Sequence, residues 1–142
     1  MLKLPTVILE HTTRTGRHYD WLLADPTNPA GPLWTARTMV SPLHWMQAKC
    51  WDLEPIQPHR RAYLDYQGPI SGGRGRVIQV DRGWFISRMW TEHRMVIDLH
   101  LSQAQGEICI QRLASSAWRA NLSSSESADS DYLADNAGID FV

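Results

Sequence analysis

Three side chains able to ligate a divalent metal lie close together near the start of the chain. They are His11, His18 and Asp20, within VILEHTTRTGRHYDWLL over residues 7–23. The segment reads as two strand arms, Val7–His11 and His18–Leu23, around a polar turn containing Gly16. On a strand, residues two apart project from the same face, so His18 and Asp20 share one. His11 ends the first arm and can lie across from them. Two imidazoles and a carboxylate on one face of a hairpin form a compact N/O site for a divalent ion. Tyr19 and Trp21 alternate with them and point the other way, into a core. The same residues also fit an ordinary polar edge on which Asp20 accepts from His18 or Arg17.

Two further segments could act on phosphate. In HRRAYLDY, His59 is followed four residues later by Tyr63. A histidine can serve as general acid or phosphate ligand. A tyrosine hydroxyl can bond a phosphate oxygen or a water. In GPISGGRGR, over residues 68–76, glycines permit close backbone approach, and Arg74 and Arg76 add two guanidiniums. It is neither a Walker loop nor GxGxxG. A strand entrance with a core-edge tyrosine, and a wide hairpin turn with solvated arginines, are the plain structural readings of these two segments.

The elements that must position these groups are short strands separated by turn signals. Beyond the opening hairpin, strands are expected over Leu33–Val40, Ala62–Tyr66, Arg76–Arg82, Trp84–Trp90, Met95–Leu101, Glu107–Leu113 and Trp118–Leu122. Asp81-Arg82-Gly83 reads as a turn between two of them. Ser41–Pro58 reads as irregular wrapping with a short helix near His44–Trp51, because Pro42, Pro55 and Pro58 flank it. The fold class is therefore all-β: a compact antiparallel barrel with a flanking hairpin and short helical segments.

At 142 residues and 43% hydrophobic, the chain suits one barrel domain, residues 1–122, followed by an acidic, flexible tail, residues 123–142. The last 22 residues carry five acids and no Lys or Arg, leaving residues 1–120 with a net charge of +4. Such a body permits a polyanion partner. Twelve of the 14 cations are Arg, which matches phosphate geometry with a planar fork. Cys50 and Cys109 are isolated and read as reduced thiols. With no signal-peptide pattern and no membrane-length apolar run, the expected location is the cytoplasm, with no membrane partner and a monomeric state. Seven Trp against two Phe read as core packing rather than base-stacking platforms.

The order EH…HYDWLL, then Trp34, then HRRAYLDYQGPISGGRGRVIQVDRG resembles the 3′-phosphoesterase domain of bacterial DNA ligase D and its small free-standing relatives. The similarity runs from about Val7 to Trp84 and continues more loosely to about Leu122. It implies a β-barrel enzyme that removes a 3′-phosphate or 3′-ribonucleoside from nucleic-acid ends in DNA repair. It further implies His11, His18 and Asp20 as metal ligands, with Mn²⁺ the implied ion and Zn²⁺ or Co²⁺ also compatible with the ligand set. His59 then contacts or protonates phosphate and Tyr63 assists it. Arg37, Arg74 and Arg76 become the phosphate-binding set. Nucleic-acid 3′ ends are the implied partner, alongside a separate ligase or polymerase.

The pattern departs from that family in four places. The turn between His11 and His18 is one residue longer. Leu22 stands where the ligase D domains carry an Arg. Ala36-Arg37-Thr38 replaces a Pro-Lys-Gly segment, with Arg37 offering the cation. No Arg occurs in Cys50–Pro58, where another is expected. Arg74 and Arg76, or Arg14 and Arg17, are the candidates to replace these contacts. The alternatives are a non-catalytic barrel that binds nucleic-acid ends or a protein, and a phosphoesterase for a small phosphorylated metabolite.

Overall fold

The computed structural model describes residues 1–123, so the acidic tail lies outside the described residues except for Ser123. Among the described residues nine strands form: β1 (Leu4–Thr13), β2 (Gly16–Ala24), β3 (Leu33–Thr38), β4 (Cys50–His59), β5 (Gly68–Pro69), β6 (Arg76–Trp90), β7 (Arg94–His100), β8 (Gln105–Arg112) and β9 (Trp118–Ser123). All pair antiparallel, in the order β1-β2-β3-β4-β9-β8-β7-β6. Pairing of β1 with β6 closes eight of them into a barrel, and β5 adds to β6 outside the ring. Closure gives each of these eight strands a neighbouring strand on both sides over at least part of its length.

Aromatic contacts identify the inner face. Trp34 of β3 meets Trp90 of β6 and Trp118 of β9, neither of which neighbours β3 in the sheet. Trp34 is the cross-strand partner of Leu23, and Trp21 lies two residues before Leu23. Trp21, Leu23 and Trp34 therefore face the lumen, and His18, Asp20 and Leu22 face outward. A single helical turn, α1 (Trp45–Ala48), sits where β3 finishes and β4 begins. Its Trp45 is fully buried, stacked on Trp51 at 4.4 Å and packed on Trp21 at 4.7 Å.

Three expected elements differ. Cys50–His59 is a strand despite Pro55 and Pro58. β9 pairs only with Cys50–Leu53, so both prolines lie where one side of β4 has no ladder to serve, a position that tolerates a missing N–H. Ala62–Tyr66 is not a strand: Arg61–Leu64 forms a 3₁₀ turn. The Leu64 carbonyl accepts from Gln79 Nε2 and Arg82 Nη1 of β6, which ties this turn down. Asp81-Arg82-Gly83 is no turn, because β6 runs unbroken through it. A β-bulge between Ile8 and Leu9 of β1 leaves Val80 unpaired. Asp81 is buried and accepts from Ser102 N, Ser102 Oγ and Gln103 N of the β7–β8 loop. A Cβ on Gly83 would collide with the His100 carbonyl, so β6 and β7 approach there only through glycine.

Candidate metal centre

The hairpin register assembles the cluster. His11 is the direct cross-strand partner of His18, and Asp20 lies two residues on, on the same outward face. The imidazoles meet edge to face with centroids 4.8 Å apart. The Asp20 carboxylate sits between them, Oδ2 3.5 Å from His11 Nδ1 and Oδ1 3.3 Å from His18 Nε2. One potential ligand atom from each of the three lies within 4.8 Å of the others. Asp20 is 1% exposed, which overturns the solvated-edge reading, and Arg17 pairs instead with Glu10.

Protonation is set by what lies behind each ring. His11 Nε2 donates to the Arg74 carbonyl at 2.7 Å, which leaves Nδ1 as the ring nitrogen that faces Asp20. Burial pushes the His18 pKa below its ordinary value. Asp20 pulls against that, while the positive charges of Arg37 and His11 push the same way. A neutral His18 is the metal-binding form. Among the described residues, His18 Nε2 and Asp20 Oδ1 are buried without a well-formed hydrogen bond, although they lie 3.3 Å from each other. An unsatisfied imidazole nitrogen and carboxylate oxygen side by side are costly, and one cation between them answers both. The donor set thus fits a divalent ion of the N/O-binding class.

A third imidazole closes in from β4. His59 Nδ1 donates to the Gln57 carbonyl at 3.0 Å, which turns Nε2 toward Asp20 Oδ2, 3.9 Å away. The Tyr63 ring meets His59 edge to face at 5.3 Å. His59, Tyr63, Arg60 and Arg74 line a cleft of about 460 Å³, and a second cleft of about 250 Å³ shares Arg60 and Tyr63.

The expected phosphate-binding arginines divide. Arg37 is the cross-strand partner of Asp20, and its Nε is buried without a hydrogen bond. Arg74 lines the cleft, its guanidinium donating to Ser71 O and Ser71 Oγ. Arg76 is exposed on β6 opposite Thr12 and stands outside the cleft lining. Arg60 is the cleft residue that residue spacing does not single out, although the HRR run contains it; its guanidinium lies 5.8 Å from the Tyr63 ring centroid. Leu22 is fully buried on the outward face, so an apolar contact occupies the position of the absent Arg.

No protein-family model and no curated protein matches this chain. The likeness to the ligase D phosphoesterase domain therefore rests on the residue pattern.

Proposed function

We propose that this protein is a metal-dependent phosphoesterase acting on 3′ ends of nucleic acid, with Mn²⁺ as the favoured ion and 3′-phosphate or 3′-ribonucleoside ends as substrates. The observation that carries the reading is the pair of buried, unpartnered ligand atoms, His18 Nε2 and Asp20 Oδ1, beside a cleft lined by His59, Tyr63, Arg60 and Arg74. His11, His18 and Asp20 would hold the ion, which when bound supplies a Lewis acid for a phosphoryl oxygen. Arg60 and Arg74 supply guanidiniums to neighbouring phosphates. His59, with its Nδ1 proton committed to Gln57, presents Nε2 as the atom that donates to a phosphate oxygen when protonated. Tyr63 offers a hydroxyl in the same cleft.

The test is an end-labelled duplex carrying a 3′-phosphate or a single 3′-ribonucleotide, incubated with protein and Mn²⁺. Dephosphorylation or shortening that disappears with His18→Ala supports the proposal. No reaction by folded, Mn²⁺-loaded protein removes it. Buried Leu22 favours a second reading, a barrel that binds such ends without cleaving them. Salt-sensitive binding without turnover would establish it.

A further inference from the structure

The two mouths of the barrel differ. The one beside α1 is filled by Trp45, and the other is open and ringed by tryptophan. Trp34 is the second residue of β3, Trp90 ends β6 and Trp118 begins β9, so three strands deliver an indole each to this mouth. The rings are crossed rather than stacked: Trp34 makes 79° with Trp90 at 6.3 Å and 60° with Trp118 at 5.9 Å. They border a cavity of about 410 Å³, within the range of small-molecule sites. Trp34 and Trp90 are only half-buried, whereas Trp21 and Trp45 are fully covered.

The charge of this mouth runs against the rest of the barrel. In a body of net +4, its lining holds one carboxylate, Glu92 on the β6–β7 turn, and no Lys, Arg or His. Glu92 makes no ion pair among the described residues. The neighbouring basic side chains stand outside this lining: Arg94 donates to Cys109 Sγ, and Arg112 donates to His93 Nδ1. Indole rings beside a carboxylate at the rim attract a cation that has little to gain from hydrogen bonds.

We infer that this mouth binds a small trimethylammonium cation of the choline class. The indole faces contact the methyl groups, which carry the spread positive charge, and Glu92 supplies the counter-charge. The site shares no residue with the metal centre and does not depend on the phosphoesterase reading.

The experiment is a titration of the full chain with choline, followed by tryptophan fluorescence and calorimetry. The control is choline's uncharged carbon isostere, in which a tert-butyl group replaces trimethylammonium. Saturable binding of choline, with the isostere about tenfold weaker, is the expected result. Glu92→Gln should weaken choline by about threefold, and Trp90→Phe by a similar factor. Glu92 is exposed on a turn, so Glu92→Lys tests the site without threatening the fold and should abolish choline binding. Equal affinity for the isostere, no saturable choline binding, or choline binding unchanged by Glu92→Lys would each overturn the inference.

Discussion

At the scale of the residue, the cluster separates two kinds of histidine. His11 and His18 pack against each other over Asp20, whereas His59 approaches from another strand and also faces the cleft. If His59 acts on phosphate, His59→Ala should abolish turnover while Mn²⁺ affinity falls less than about tenfold. His18→Ala should lower Mn²⁺ affinity by more than about 100-fold, beyond what losing an outer partner costs. Metal titration calorimetry beside the end-trimming assay separates the two roles. The depressed pKa of His18 has a stability consequence. Its folded value lies below the unfolded one, near about 6.5, so below that pH the unfolded chain binds more protons. The metal-free protein should therefore lose stability as pH falls from about 7 through the folded pKa, then level off. Denaturant midpoints across this range check it, and His18→Gln should flatten the slope.

Elements decide whether those residues meet. The glycine-rich turn was legible as a turn, but its service to His11 was not: it delivers the Arg74 carbonyl to Nε2. Gly75, at φ +86°, closes that turn by accepting from Ile70 N at 2.7 Å, and a Cβ there would strike the Thr12 carbonyl. Gly75→Ala should cost about 2 kcal/mol in urea unfolding and weaken metal binding by about tenfold, because the carbonyl behind His11 shifts. Strand arms with strong alternation were readable, as Met95–Leu101 and the opening hairpin illustrate. AYLDY alternates too, yet it folds as a 3₁₀ turn because Gln79 and Arg82 hold the Leu64 carbonyl. DRG carries turn residues, yet it stays in β6 because the neighbouring β7–β8 loop satisfies Asp81. In each case a distant partner outweighed the local signal.

Across the whole molecule, barrel closure links the site to stability. β1 carries His11 and is held by β2 on one side and β6 on the other. An ion that binds only the folded cluster stabilises all of it by mass action. Mn²⁺ at a hundredfold excess over Kd should add about 2.7 kcal/mol, a rise of roughly 10 °C in Tm. Chelation should reverse the rise, and His18→Ala should lack it. Scanning calorimetry of the wild type and variant is the check.

The amino-acid order alone determined that this chain is an antiparallel β protein, because period-2 alternation and turn residues are local properties. It also determined that His18 and Asp20 share a strand face with His11 opposite, since two residues of spacing and a short turn fix that. What only the tertiary structure decided is the rest of the centre. The cleft brings Arg60 beside Arg74, and the approach of His59 to within 3.9 Å of Asp20 and the Arg74 carbonyl behind His11 join segments dozens of residues apart. So does the meeting of Trp34, Trp90 and Trp118, which packs these indoles at one mouth of the barrel. Contacts of that range depend on how β1 meets β6 and how β4 meets β9, and sheet closure is a property of the whole chain rather than of any window in it.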